Sequence, residues 1–195
     1  MPGVALALAA SPAVQALAAS GPVTVDLEAT QYVGMFNDDS RYEQVLYVHP
    51  TDAHGLVRSA VLSALAGHTV QAASLWIYHS ANWQGTGDAQ LYRVLDGNDW
   101  DVSIAKWTLR KAGTAWLGGS SGCGTSGTDH DAAVAASGTV PTYTEGWFEC
   151  VFNADGLADL QYQIDNAIPY GFVVKASTGS GWRAGVAPFY RVTYQ

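Results

Sequence analysis

Residues 70–78 read VQAASLWIY and residues 147–153 read WFECVFN. In an extended chain the first places Ala73, Leu75 and Ile77 on one face and Trp76 and Tyr78 on the other. The second does the same with Phe148, Cys150 and Phe152. A period of two belongs to a strand, because a helix would bring apolar residues together every three or four positions. Strands with one apolar and one mixed face are characteristic of antiparallel sheets that pack on one side only.

Six further stretches carry strand patterns: VTVDL (23–27), EQVLYVH (43–49), LVRSAVL (56–62), QLYRVL (90–95), YGFVVKA (170–176) and APFYRVTYQ (187–195). Turn-forming runs such as NDDS, HPTDAHG, DGND and STGSG separate them. About eight strands at this spacing predict an antiparallel β-sandwich rather than βαβ units. One interior helix is expected, with Asp155 as N-cap and Leu157, Leu160 and Ile164 on one face, covering an open end of the sandwich. The 195 residues suffice for one well-filled domain, and no boundary or internal repeat follows residue 23.

Residues 1–22, MPGVALALAASPAVQALAASGP, form an Ala-rich apolar arm. No basic residue precedes the apolar run and Pro12 divides it, which argues against a signal peptide. It is too short and interrupted to cross a bilayer. Pro12 after Ser11 and the stop at Gly21 predict a short helix over 12–19. Its apolar residues Val4, Leu6, Leu8, Val14 and Leu17 are the candidate contacts with a partner surface.

The net charge is −8, and the nine Lys and Arg are scattered. Nucleic acid and anionic membrane surfaces are therefore excluded as expected partners, since both require clustered cations. Cys123 and Cys150 are too few for a disulfide framework. Cys150 lies on an apolar strand face and is expected as a buried free thiol, although one bridge is the other option. No Cys/His spacing matches a zinc site.

The run between Trp116 and Asp131 contains two motif patterns: GGSSG (118–122) fits G-x-S-x-G, and GCGTSG (122–127) fits G-x-G-x-x-G. Each requires a helix directly after the turn, to expose the serine or to hold a pyrophosphate. No helical pattern follows either, so both are expected to be loop glycines and serines. Asp129 and Asp131, with Asp99 and Asp101, are candidate calcium ligands if the loops bring them together. Otherwise they cap turns, as Asp commonly does. His49, His54, His68, His79 and His130 are dispersed near turns and strand ends and are expected to be solvated or locally hydrogen-bonded. Trp83, Trp100, Trp107, Trp116 and Trp182 lie in or beside loops, where an indole either plugs the core or stacks on a sugar.

Four stretches in order resemble the DNRLRE-type β-sandwich domains, a jelly-roll family found in carbohydrate-binding modules and in many phage virion proteins. They are HGLVRSAVLSALAGHTVQAASLWIY (54–78), AQLYRVLDGNDWDVSIAKWTLRKAGTAWLGG (89–119), GTSGTDHDAA (124–133), and IPYGFVVKAS (168–177) with FYRVTY (189–194). The second is the most specific, through Tyr-Arg-Val-Leu, Trp100, Trp107 and Gly-Thr-Ala-Trp. Ser59 and Ala60 stand where the family often carries Phe and Asp.

The resemblance covers residues 23–195 and implies an all-β, antiparallel sandwich of jelly-roll type, here with one short helix and the arm at 1–22. It brings no catalytic residues. The expected function is that of a non-enzymatic phage virion protein, either a capsid decoration protein or a tail-associated component. The expected partners are the major capsid or tail protein and further copies of the chain, a homotrimer among the options. The alternative is a secreted, extracellular carbohydrate-binding module with Trp83, Tyr92 and Trp100 as a stacking platform for a cell-surface glycan. No cofactor is expected beyond calcium at Asp129 and Asp131.

Overall fold

A computed structural model describes residues 21–80, 87–168, 170–179 and 181–195. The first strands are β1 (Val23–Glu28), β2 (Gln31–Phe36), β3 (Arg41–Glu43), β4 (Leu46–Val48) and β5 (Ala53–Arg58). A 3-10 helix (Ala60–Leu65) leads into β6 (Val70–His79) and β7 (Gly87–Arg93). A long connection carries the short hairpin β8 (Leu109–Lys111) and β9 (Thr114–Ala115). Then come β10 (Ala136–Val140), β11 (Gly146–Phe152), helix α1 (Ala154–Asp165), β12 (Phe172–Lys175), β13 (Trp182–Ala184) and β14 (Phe189–Tyr194).

Ten strands form one antiparallel sheet in the order β1-β14-β6-β11-β10-β7-β12-β5-β2-β3. The β10–β11 junction is held by only two residue pairs, Ala136↔Phe152 and Ser137↔Val151, and there the sheet turns a corner and folds over itself. One layer is therefore β1-β14-β6-β11 and the other is β10-β7-β12-β5, widened by β2 and β3. The chain crosses from layer to layer at β1→β2, β5→β6, β6→β7, β10→β11, β11→β12 and between β12 and β14, a winding of the jelly-roll kind. The all-β antiparallel sandwich is the fold the strand pattern led to, and its jelly-roll type is the one the resemblance implied.

The inward faces of β6 and β11 are those read from the alternation. Ala73, Leu75 and Ile77 of β6, Phe148, Cys150 and Phe152 of β11, and Tyr190 and Val192 of β14 meet Val57, Leu91, Phe172 and Val174 across the core. A second apolar cluster lies on the other side of the second layer. Val33, Met35, Leu56 and Val173 are covered there by Val94, Trp100, Ala105, Trp116 and Cys123 of the connection through residues 94–135. Strands β2, β5 and β12 of the second layer are thus buried on both faces, whereas the first layer is buried on one.

Several expected elements differ. The stretch 43–49 is divided, because Gln44 adopts φ 55° and ends β3, while β4 turns away to pair with β13. The stretch 56–62 stops being a strand at Arg58. Ser59 Oγ donates to the Glu28 carbonyl at 2.5 Å, and the 3-10 helix that follows buries Leu62 and Leu65, three residues apart. Strand β2 was not anticipated. Four of its six residues are buried, so it lacks alternation. Gly34 lets Tyr47 approach so closely that a Cβ would sit 2.7 Å from its backbone nitrogen. Helix α1 is capped by Asn153, not Asp155: the Asn153 side chain accepts from the Gly156 N–H at 2.8 Å. Leu160 and Ile164 are buried as expected, with Leu157 partly so. The helix packs beside the start of β6, where Gln161 accepts from the Val70 N–H at 2.8 Å.

Candidate functional site

The glycine- and serine-rich run is a folded loop built around Asp129. This carboxylate is fully buried and accepts from the Gly118 N–H at 2.7 Å, the Ser121 hydroxyl at 2.6 Å and the Thr125 N–H at 3.0 Å. Asn98 Nδ2 donates to the Thr128 carbonyl at 2.8 Å and holds the loop to the preceding turn. Trp116 is buried, and its Nε1 donates to the Lys106 carbonyl at 2.9 Å. Gly122, at φ 58°, presses on Trp107 so closely that a Cβ would lie 2.5 Å from the ring, a position only glycine fills without cost. Ser120 sits in an exposed bend followed by turns, so neither motif pattern has the helix it requires.

The calcium candidates are spent separately. Asp131 Oδ1 accepts from the Ala132 N–H at 2.7 Å, and Oδ2 lies 3.6 Å from Arg93. Asp99 pairs with Arg110 and with Lys111, the latter at 2.9 Å, and Asp101 accepts from Ser103. Among the described residues no group of three or more His, Cys, Asp or Glu is arranged to hold a metal ion.

Three histidines are buried rather than solvated. His54 Nδ1 lies 3.0 Å from the Gly122 carbonyl and the ring leans on Trp107 at 4.9 Å, and burial pushes its pKa down to about 4. His79 Nδ1 lies 2.8 Å from the Thr144 carbonyl. His130 Nδ1 lies 2.5 Å from the Asp131 carbonyl, and Nε2 faces the Lys175 ammonium at 3.4 Å. A neutral ring protonated on Nδ1 satisfies both neighbours. Burial lowers the pKa of both His130 and Lys175. Cys123 and Cys150 are free, buried thiols whose pKa burial raises.

Of the residues expected to form a stacking platform, Trp100 and Tyr92 do not share an exposed face. Trp100 is 3% exposed, donates from Nε1 to the Tyr170 carbonyl at 2.7 Å, and has the Arg58 guanidinium 4.3 Å over its ring. It is a core plug and offers no face to a sugar. Tyr92 is half-buried on β7, its hydroxyl donating to Gln90 at 2.7 Å and its ring 4.7 Å from His130. Trp83, and Val4, Leu6, Leu8, Val14 and Leu17 of the arm, lie outside the described residues.

An aromatic surface stands elsewhere, on the outer face of the first layer. Register pairs Trp147 with Tyr78 and Phe189 with Trp76. All four project away from the core, because their neighbours in sequence point inward. Trp147 contacts Tyr78 and Phe189 edge-to-face, each at 5.2 Å, and Trp76 lies parallel to Phe189 at 6.0 Å. Trp147 is 41% exposed and Val151 56%. Polar groups rim the rings: the Tyr78 hydroxyl donates to Glu145 at 2.8 Å, and Trp76 Nε1 to the Ser74 hydroxyl at 3.1 Å.

Arg191 stands over Trp76 at 5.2 Å and forks onto both oxygens of Asp26 at 2.8 Å. The pair holds Asp26 below and Arg191 above their ordinary pKa values. Beside them runs a shallow groove of about 210 Å³ lined by Ala72, Ser74, Glu149, Val151, Arg191 and Thr193. The outward position of Trp76 and Tyr78 is legible in the alternation of 70–78, and that of Trp147 in 147–153. What gathers them is the pairing of β6 with β11 and β14, which join distant parts of the chain.

Among the described residues no helix is long and apolar enough to cross a membrane. No protein-family model matches the chain, and neither does any curated protein.

Proposed function

We propose that this chain is a non-enzymatic phage virion protein, a capsid decoration or tail-associated component that displays its jelly roll from the particle surface. The observation that carries this reading is the asymmetry of the sandwich. The outer face of β2, β5 and β12 is covered by the chain's own connection, whereas the outer face of the first layer is uncovered and carries aromatic rings, Trp147 exposed among them. A domain of that form has one side to present. The arm at 1–22 leads directly into β1, an edge strand paired only with β14. A segment that precedes an edge strand can engage a capsid or tail protein without disturbing the core.

Fold alone names no activity. Support for a non-catalytic role comes from the use made of the polar groups: Asp129, His54 and His130 are all taken up by hydrogen bonds within the domain. Homo-oligomerisation, a trimer included, suits a repetitive particle surface.

Deleting residues 1–22 tests the anchoring role. The truncated chain should keep a cooperative thermal transition and fail to co-sediment with particles. Normal incorporation of the truncated form would refute it. A secreted carbohydrate-binding module is the second reading, favoured by the outward rings of the first layer, of which Trp147 is the exposed one. It requires secretion and retention on glycan, with no association with particles.

A further inference from the structure

We propose that the outer face of the first layer, centred on Trp147, Phe189 and Tyr78, is a binding site for a neutral glycan chain. This rests on the reading of the domain as a displayed, non-enzymatic module, and it supplies that module's ligand. The site differs from the platform expected at Trp83, Tyr92 and Trp100.

The rings stand on three adjacent hydrogen-bonded strands, β14, β6 and β11, so the backbone fixes their spacing before any ligand arrives. Binding then loses little to ordering of the protein. An aromatic face matches the axial C–H surface of a pyranose, while the hydroxyl edge of the sugar needs acceptors and donors beside the ring. Glu145 stands beside Tyr78, and Arg191 with Asp26 stands beside Trp76 and Phe189. The groove past Ser74, Glu149 and Thr193 continues this mixed lining away from the rings, as a chain ligand requires.

Charge selects within the class of glycans. Glu145, Glu149 and Asp26 line the face, its guanidinium at Arg191 is held by Asp26, and the chain carries a net charge of −8. Uronate, sialate or phosphate groups would meet carboxylates, so an uncharged glycan is selected. The same carboxylates oppose an anionic membrane. Glu149 and Arg191 interrupt the apolar surface that a second copy would need to bury.

The test is native affinity electrophoresis of the full chain in gels containing mannan, galactan, starch or xyloglucan, with polygalacturonate and heparin as acidic counterparts. At least one neutral polymer should retard the wild type, and neither acidic polymer should. Trp147→Ala should weaken that retardation about tenfold, with Trp147→Phe restoring part of it. The thermal transition should stay cooperative and fall only by a few degrees, because the Trp147 ring is 41% exposed and the change removes only its edge contacts with Tyr78 and Phe189. Phe189→Ala serves as a second variant.

The proposal is overturned if no neutral polymer retards the wild type, if acidic polymers bind better, or if Trp147→Ala binds normally. It is overturned equally if sedimentation shows a wild-type oligomer that Trp147→Ala dissolves, since the face would then be an interface between copies. Particle incorporation of Trp147→Ala separates the two readings. Loss of glycan binding with incorporation intact supports both, whereas glycan binding by a wild type absent from particles defeats only the virion role.

Discussion

Acid should destabilise the domain through His54, and the size of the effect follows from its burial. The ring is held neutral against Trp107 and the Gly122 carbonyl, with its pKa lowered from 6.5 to about 4. In the unfolded chain the imidazole titrates normally, so between those values the unfolded state binds more protons than the folded one. Stability is therefore complete above pH 6.5 and falls as the pH drops towards 4. The full shift corresponds to ~3.4 kcal/mol at ~1.36 kcal/mol per unit, and at pH 5 roughly 2 kcal/mol has been lost. His130, lowered by burial as well, acts in the same direction. Asp159 opposes both, because burial raises its pKa to about 6 and acid then favours the folded form.

Comparing wild type with His54→Gln at each pH cancels Asp159 and every other group common to both. Urea unfolding followed by tryptophan fluorescence should show the wild type losing about 2 kcal/mol more than His54→Gln between pH 7.5 and pH 5. Equal losses would refute the assignment. Where His54→Gln folds poorly, the imidazole resonances of the wild type serve instead. The His54 Cε1 proton should not shift between pH 7.5 and pH 5, and an inflection near 6.5 would contradict the burial argument.

Asp129→Ala should cost about 3–5 kcal/mol, because it orphans two backbone N–H groups and a hydroxyl that all point at one buried carboxylate. Limited proteolysis should then cut within residues 117–128, and a resistant loop of unchanged stability would refute its central role. Gly156→Ala sets propensity against packing. Alanine favours a helix interior by about 1 kcal/mol, yet its Cβ would lie 2.0 Å from the Ala135 carbonyl oxygen. A net loss of about 1–3 kcal/mol is expected in urea unfolding, and any gain would show that α1 does not press on that carbonyl.

The legibility of each strand followed its surroundings. Strands β6 and β11 have one face in the core and one at the surface, so their alternation was plain and their inward residues were read correctly. Strands β2 and β5 are buried on both sides, which erases alternation, and one was missed while the other was extended past its end. The helix was found from Leu160 and Ile164, although its cap was placed two residues late. Asn153 does the capping, a role for which Asn and Asp are close to interchangeable. Of the candidate sites, the glycine-rich run was correctly read as loop glycines and serines without the helix that either motif requires. Trp100 was misplaced because a loop indole can point either way, and the direction depends on what lies beneath the loop.

Local chemistry in the sequence thus determined the strand class, the inward faces of the exposed layer, the buried thiol at Cys150 and the lack of clustered cations. These depend on neighbours two to four residues apart. Which layer the connection through 94–135 would cover, and which would stay bare, depended on pairings such as Trp76 with Phe189 and Tyr78 with Trp147. Those residues are far apart along the chain, and no local period records that they meet. Only the closed sandwich brings four outward rings onto one surface, because a strand fixes the direction of its own side chains but not the identity of the strands beside it.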